Sequence, residues 1–347
     1  MRRLGWAMLL GMLVSGCRPA PTPPPITIQP ASSTPTPPPL QRVRVVHTPS
    51  MEYAPLYVAL ERGFFRERGL ALELTPISTT TEALAQLATG AVDVAALSLS
   101  ANVFNVLARD LGVRIIASGG AWGPRSPAVL LVRRPLLEER QVTKVEDLYQ
   151  RPVAYAGGPG SPGEYLLNSA LERDRVSVLT VNVVDLPVTE HLAALRAGTV
   201  DASLTPEPFA TAAVQQDVGR VLLRDWLPGA ATGAYLASGQ FRTNRAAAAT
   251  AFLAALIEGA RAIQGARFFD PDNLETYQRY TGVSAAQLRS DPPLVYDRTM
   301  AIARQSVADQ ERFFRDFRRT TYTTLLPLET YIDERFRNEA LTLLAGR

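Results

Sequence analysis

The chain has 347 residues, 46% of them hydrophobic, and a formal net charge of +3. This length suits one large or two ordinary domains with a sizeable core. Arg2 and Arg3 account for part of the charge, Lys144 is the only lysine, and no basic run alternates with aromatic residues, so nucleic acid is not expected as a partner. One cysteine and two histidines exclude a disulfide within the chain and leave little for a metal centre, so no metal or cofactor is expected.

The first forty residues read as a targeting segment followed by a tether. Arg2 and Arg3 precede an apolar run at 4–14, and residues 14–17 read VSGC. This arrangement resembles the bacterial lipoprotein signal, in which cleavage leaves the cysteine as the lipidated first residue, although Val14 stands where leucine is usual. A single transmembrane anchor is the alternative, but the apolar run is too short for one. We predict a signal peptide at 1–16 and a tether rich in Pro, Thr and Ser at 17–41 that begins with a lipidated Cys17.

The body begins near residue 42 and alternates short apolar runs with helical patterns. Residues 43–47 predict a strand, Pro55 suits the first turn of a helix that ends before Gly63, and residues 70–76 alternate as a second strand. Similar runs predict strands at 92–97, 113–118, 128–132, 153–156, 176–185, 202–205, 220–223 and 233–237.

One pattern occurs twice. The stretch ALAQLATGAVDVAALSLS at 83–100 is repeated loosely as HLAALRAGTVDASLTPEP at 191–208. Gly90 matches Gly198 and Asp93 matches Asp201, an offset of 108 in both cases. Each copy reads as a helix, a glycine stop and a buried strand that ends in a loop. The repeat indicates two related α/β halves, each presenting a loop to a ligand.

The order of several segments resembles the NMT1/THI5-like solute-binding proteins of ABC importers. The resemblance is carried by APLYVALERGFFRERGLALELTP, ATGAVDVAAL, LRAGTVDASLTPEPFATAA and TYIDERFRNEAL. It implies an α/β, two-lobed, periplasmic-binding-protein-like type II fold in which each lobe is a mostly parallel sheet flanked by helices. The implied lobes are 42–130 for the first part of lobe 1, 131–232 for lobe 2 and 233–347 for the return to lobe 1.

The same resemblance implies capture of a small solute on the extracytoplasmic face of the cell membrane, where the protein is anchored through its lipid. It also implies delivery to an ABC permease, with the binding protein acting as a monomer by hinge closure. Catalysis is not expected, because no catalytic motif is present. A lipoprotein enzyme or a sensor partner remains the alternative.

Ligand contacts are expected in loops at the carboxyl ends of strands, where open α/β sheets hold ligands. These loops contain aromatic groups that can stack and hydroxyl, amide and carboxylate groups that can form hydrogen bonds. The predicted ligand-binding residues are Ser50, Met51, Tyr53, Ala54, Ser98, Ser100, Asn102, Trp122, Tyr155, Gly160, Ser161, Tyr165, Glu207 and Phe209.

This set favours a planar heteroaromatic solute. A small anion would need a basic residue among its contacts, and Arg125 is the only one nearby, whereas Glu207 would repel an anion. Riboflavin is the favoured ligand, since its tricyclic ring suits several aromatic residues and its ribityl tail suits the serines and Asn102. A thiamine pyrimidine precursor of the formylaminopyrimidine type is the second choice, and an alkanesulfonate or taurine the third.

Overall fold

The computed structural model describes residues 39–77 and 79–346. The predicted signal peptide, the lipidated Cys17 and nearly all of the tether lie outside the described residues. The described strands are β1 Gln41–His47, β2 Leu70–Pro76, β3 Val94–Ser98, β4 Arg114–Ser118, β5 Ala128–Arg133, β6 Pro152–Tyr155, β7 Asn182–Asp185, β8 Ala202–Pro206, β9 Gly219–Leu223 and β10 Gly233–Ala237.

The described α-helices surround these strands. They are α1 Ala54–Glu61, α2 Phe64–Glu67, α3 Thr80–Thr89, α4 Ala101–Ala108, α5 Arg134–Glu138, α6 Pro162–Glu172, α7 Val188–Ala197, α8 Phe209–Gln215, α9 Gly239–Asn244, α10 Ala246–Ala262, α11 Pro271–Thr281, α12 Ala285–Ser290, α13 Arg304–Asp316 and α14 Arg335–Ala345. Within the described ranges, no helix has both the length and the apolar character that crossing a membrane requires.

The strands form two five-stranded sheets with the same plan. The order is β2-β1-β3-β10-β4 in the first sheet, which defines lobe 1, and β7-β6-β8-β5-β9 in the second, which defines lobe 2. In each sheet four strands run in the same direction, and the fourth strand in the order, β10 or β5, runs antiparallel to both its neighbours. The fold is the α/β, periplasmic-binding-protein-like architecture that the sequence predicts.

The sequence repeat falls on equivalent elements of the two lobes. Helices α3 and α7 end at Gly90 and Gly198, whose φ values of 73° and 71° are left-handed and suit glycine. Strands β3 and β8 follow at the same offset, and each is the third strand in its sheet. The two lobes therefore share one plan in both sequence and topology.

The chain passes between the lobes twice, at 119–127 and 224–232, which we call the crossing segments. The two run antiparallel, since the Trp122 amide donates to the Ala230 carbonyl and the Gly229 amide to the Trp122 carbonyl, both at 2.8 Å. Ala121 also exchanges backbone hydrogen bonds of 2.8 Å with Val295. The two crossing segments therefore form an antiparallel pair that links the lobes, and the segment around Val295 pairs with the first of them.

Two details differ from the expected boundaries. Strand β5 begins at Ala128 and lies wholly in the second sheet, so the lobe boundary expected at residue 130 falls inside a strand. The strand expected over 176–185 is shorter, because a 3-10 turn at Val178–Thr180 precedes β7. A short turn interrupts an apolar run that hydrophobicity alone reads as continuous.

The core of lobe 1 packs α1, α10 and α14 on one face of its sheet. Gly259 of α10 is required for this packing, because a Cβ there would collide with the Pro55 carbonyl of α1. Separate buried clusters cover the other face of lobe 1 and both faces of lobe 2. The carboxyl ends of β1 and β8 are thereby left at the boundary between the lobes.

Candidate functional site: a cleft between the lobes

A cleft of about 310 Å³ lies where the lobes and the crossing segments meet. This interlobe cleft is large enough for a small organic molecule. Lobe 1 contributes Ser50, Met51 and Glu52; the first crossing segment Trp122 and Pro127; lobe 2 Ala128, Leu166, Pro206 and Glu207; and the later chain Phe268, Val283, Gln287, Leu288, Asp291, Pro292, Pro293, Leu294 and Tyr296.

Glu52 is a lining residue that the sequence reasoning missed. It follows β1 in the 3-10 turn Met51–Tyr53, which Ser50 caps by accepting a hydrogen bond of 3.2 Å from the Glu52 amide. Its carboxylate accepts hydrogen bonds from Thr232 in the second crossing segment and from Ser98 at the end of β3, the latter at 3.4 Å. Burial raises the pKa of Glu52, and these hydroxyl donors offset part of the rise.

Glu207 reaches the cleft from the loop after β8. Its side chain is only 5% exposed. One carboxylate oxygen accepts a hydrogen bond of 2.9 Å from the Thr211 amide at the start of α8, and the other lies 3.7 Å from the Arg224 guanidinium. The carboxylate therefore also stabilises the first turn of a helix.

Asp291 supplies a third carboxylate, from the segment after α12. It is partly buried, and burial raises its pKa, with the negative charge of Glu207 acting in the same direction. Asp291 and Glu207 both line the cleft. No arginine, lysine or histidine is among the described residues that line the cleft.

Aromatic rings form much of the remaining wall. Trp122 packs edge-on against Trp226 with ring centroids 5.2 Å apart, and both are nearly buried. Tyr296 and Phe268 lie nearly parallel with centroids 6.2 Å apart, and the Tyr296 hydroxyl donates to the Met51 carbonyl at 2.5 Å. These contacts hold the rings in place before any ligand arrives.

Four of the predicted site residues line this cleft: Ser50, Met51, Trp122 and Glu207. Ser98 lies one step away and holds the Glu52 carboxylate. The structure brings these five together from β1, β3, the first crossing segment and β8. Their contact with a ligand stays a prediction.

Four others lie in the core and do not line the cleft, and their contact with a ligand also stays a prediction. Tyr53 and Ala54 are fully buried, and Tyr53 packs edge-on against Tyr235 at 5.4 Å. Tyr155 points into the core of lobe 2, where burial raises its pKa to about 12. Tyr165 of α6 packs on Phe313 of α13 at 5.7 Å.

Three predicted residues, Ser100, Gly160 and Ser161, lie in the loops after β3 and β6, where the two lobes meet outside the cleft. The Gly160 carbonyl accepts a hydrogen bond of 2.9 Å from the Ala101 amide at the start of α4, next to Ser100. Ser161 caps α6 by accepting from the Glu164 amide at 3.2 Å. The loops after β3 and β6 therefore touch each other, and none of the three lines the interlobe cleft.

The last two predicted residues are exposed elsewhere. Asn102 lies in a separate groove between α3 and α4, and Phe209 is 37% exposed at the start of α8. Neither lines the interlobe cleft, and a role of either in ligand binding stays a prediction. Within 39–77 and 79–346, no group of three or more His, Cys, Asp or Glu residues is arranged to hold a metal ion.

Comparison with known proteins places the chain in a family. The model of the family described as NMT1/THI5 like matches residues 50–266. Among curated proteins, none is similar enough in sequence to match the chain.

Solved structures share the fold at low sequence identity. The periplasmic aliphatic sulphonate binding protein SsuA from Escherichia coli is 19% identical, with a TM-score of 0.64 and coverage of 87% of this chain and 99% of that one. The periplasmic nitrate-binding protein NrtA from Synechocystis PCC 6803 is 14% identical, with a TM-score of 0.60 and coverage of 89% and 90%.

The same fold also occurs in an enzyme. The desulfurization enzyme DszB is 15% identical, with a TM-score of 0.62 and coverage of 88% of this chain and 99% of that one. Fold likeness alone thus does not separate binding from catalysis. The family model covers more than half of the sequence, and the chain belongs to the NMT1/THI5-like family.

Proposed function

We propose that this protein is the extracytoplasmic solute-binding component of an ABC importer and captures a planar heteroaromatic solute in the interlobe cleft. The observation that carries the proposal is the cleft itself, which is walled by both lobes and by the first crossing segment. A ligand that contacts both lobes favours their closed arrangement by its differential contacts, and the closed form can then be delivered to a permease.

Binding is favoured over catalysis by the residues available. The only cysteine of the sequence is Cys17, which lies outside the described residues. His47 and His191 are buried, and each is held by hydrogen bonds: His47 to the Tyr57 hydroxyl at 3.0 Å, His191 to the Thr205 hydroxyl and the Leu186 carbonyl at 3.1 Å. Neither histidine lines the cleft, so neither is placed to act as a general base on a bound solute.

Riboflavin remains the first ligand to test, with a thiamine pyrimidine precursor second. The nearly parallel rings of Phe268 and Tyr296 and the indole of Trp122 offer flat apolar surface. The carboxylates of Glu52, Glu207 and Asp291 favour solutes that donate hydrogen bonds, as ring N–H, amino and ribityl hydroxyl groups do. An alkanesulfonate or taurine is the third choice, because its sulfonate group would be repelled by the three carboxylates of the cleft.

The test is a thermal-shift and fluorescence screen of the full chain against riboflavin, an aminopyrimidine, taurine and nitrate. A ligand that binds only the folded state stabilises it by about 2.7 kcal/mol at a hundredfold excess over its Kd. We expect a shift with one of the first two, and quenched flavin emission if riboflavin is bound. A shift with only taurine or nitrate would keep the binding role and overturn the planar ligand. No shift with any of them would count against the binding role.

Glu207→Ala gives a matched check on the site. We expect weaker binding of the solute found in the screen, with little loss of melting temperature beyond the lost cap on α8. A large melting loss with unchanged affinity would make Glu207 purely structural.

We also propose that Cys17 anchors the protein by its lipid. Cys17→Ser should release the protein from membranes into the soluble fraction. Retention of the variant in the membrane would point to an uncleaved transmembrane anchor.

A further inference from the structure

The charge of the interlobe cleft is one-sided. Glu52, Glu207 and Asp291 line it, and none of the described lining residues is basic. The acidic lining therefore indicates the charge of a ligand that the cleft can accept. Carboxylates that are partly withdrawn from water are costly unless a positive or hydrogen-bonding group meets them.

The protein itself supplies little positive charge to these acids. Within the described ranges, the Glu52 carboxylate accepts from Thr232 and Ser98 and the Asp291 carboxylate from Ser290, and neither forms an ion pair with an arginine, lysine or histidine. Burial raises the pKa of each, which is the behaviour of a desolvated carboxylate without a cationic neighbour. Glu207 has only the Arg224 guanidinium at 3.7 Å, and Arg224 does not line the cleft.

Most of the buried acids of the described chain, in contrast, are paired with arginines. Asp93, Asp201 and Asp333 each pair with two arginines, and Glu164 pairs with Arg319. The exception away from the cleft is Glu311, whose carboxylate accepts the Leu326 amide at 3.1 Å. By contrast, Glu52 and Asp291, which line the interlobe cleft and are partly buried, have no arginine partner of this kind.

The walls between the acids are flat and apolar. Trp122, Phe268 and Tyr296 present aromatic surface to the same space, and a ring face attracts a cation as well as an apolar body. A planar group that carries a delocalised positive charge would satisfy both the acids and the rings. A neutral planar group would satisfy only the rings.

We propose that the solute bound in the interlobe cleft is a planar organic cation, held through its protonated nitrogen by Glu52 and Asp291. This inference rests on the proposed function, since it specifies the charge of the solute that the cleft captures. It gives the acids the role of selecting for charge: they attract cations and reject anions of similar size. If this inference holds, a protonated heterocycle replaces neutral riboflavin as the first ligand of the proposed function.

Three probes of nearly equal size and shape test the charge directly. Benzamidine is a planar cation, benzamide its neutral counterpart and benzenesulfonate an anion. Isothermal titration of the full chain at pH 7.5 should give a Kd for benzamidine at least tenfold below that for benzamide, with no measurable binding of benzenesulfonate. Equal or tighter binding of benzamide or benzenesulfonate, or failure of benzamidine to bind, would overturn the proposal.

Variants locate the selectivity. Glu52→Gln and Asp291→Asn keep the shape of the side chain and remove its charge, so each should reduce the preference for benzamidine over benzamide by about threefold to tenfold. Glu146→Gln, an exposed acid of lobe 2 outside the cleft, is the matched control and should keep the preference. An unchanged preference in both cleft variants would contradict the assignment, even if one of them were less stable.

The result also separates this inference from the proposed function. If a solute of the screen binds in competition with the probes but no preference for the cation is found, the charge assignment fails and the binding role stands. If neither the screen nor any probe binds, both fail.

Discussion

The two edges of the sheets use acidic residues in opposite ways. At the amino edge, Asp93 and Asp201 stand directly before the equivalent strands β3 and β8. Asp93 pairs with Arg44 at 2.9 Å and Arg245 at 3.1 Å, and Asp201 with Arg133 and Arg151, both at 2.9 Å.

At the carboxyl edge, the acids that line the interlobe cleft have far less positive charge around them. Glu52 follows β1 and is held by hydroxyl groups, and Glu207 follows β8 and has one distant arginine. The comparison shows that carboxylates stabilise the fold at one edge, where arginines pair with them, and remain available to a ligand at the other. The following variants test that contrast.

The largest effect on stability is expected at Asp201. Asp201→Ala leaves two arginines without their shared carboxylate, and breaking such a largely buried pair costs about 3 kcal/mol. Urea unfolding should show this loss, while solute affinity stays unchanged. Glu275→Ala is the control, because the Glu275 side chain is 74% exposed in its pair with Arg279, and it should cost under about 0.5 kcal/mol. A loss at Asp201 no larger than at Glu275 would contradict a structural role for the amino edge.

Asp333, also at the amino edge, should make the stability of the fold depend on pH. It lies beside β4, where its amide donates to the Ile115 carbonyl. Burial alone raises the pKa of Asp333, but hydrogen bonds from Arg335 and Arg242 outweigh burial and lower the pKa to about 2. Because the folded-state pKa is depressed, this carboxylate contributes stability above about pH 4, and the contribution is lost as the pH falls towards 2.

Urea unfolding at pH 5 and at pH 2.5 measures the contribution. The wild-type chain should lose about 2 kcal/mol more over this interval than Asp333→Asn, which has no carboxyl group to titrate. Equal losses in the two proteins would show that Asp333 is not the group responsible.

A substitution at Gly233 tests whether the position of Glu52 at the carboxyl edge matters for binding. A Cβ there would lie 2.6 Å from a Glu52 carboxylate oxygen and 2.8 Å from the Tyr53 hydroxyl. Gly233→Ala should therefore displace Glu52 and weaken solute binding about tenfold. Gly219→Ala is the matched control, because Gly219 also begins a strand but its nearest neighbour would be 3.5 Å away. Unchanged affinity in Gly233→Ala would remove Glu52 from the site.

The smallest effects are expected at the repeated glycines. Gly90→Ala and Gly198→Ala each force a left-handed conformation on a residue with a Cβ, at a cost of about 1 kcal/mol. The cost at Gly90 should be the larger, because its Cβ would also come within 2.5 Å of the Gln240 side chain. Thermal unfolding of the two variants measures the difference, and a larger loss at Gly198 would contradict this ranking.

Much of the fold follows from local sequence patterns. The strands at 70–76 and 233–237 lie where alternation and apolar runs predict them, and the repeat marks equivalent strands. These signals are local: they depend on side-chain period, on glycine stops and on turn residues.

The site was less predictable, because side-chain direction decides it. Tyr155 lies two residues after Val153 in β6, so both side chains point to the same, inward face of the strand. The two-residue period of a strand therefore predicts a core position for Tyr155. Its place at the end of the strand suggests a ligand contact instead. The 3-10 turn Met51–Tyr53 sends Tyr53 into the core and leaves Glu52 at the cleft. The wall at 283–296 comes from distant sequence, and no local signal brings it to the cleft.

The central claim is that solute binds between the lobes. Hydrogen-exchange mass spectrometry, with and without the tightest solute of the screen, tests it directly. The account predicts protection at 50–53 of lobe 1, at 122–128 of the first crossing segment, at 206–211 of lobe 2 and at 283–296. Protection confined to one lobe, or centred on the groove between α3 and α4, would contradict it.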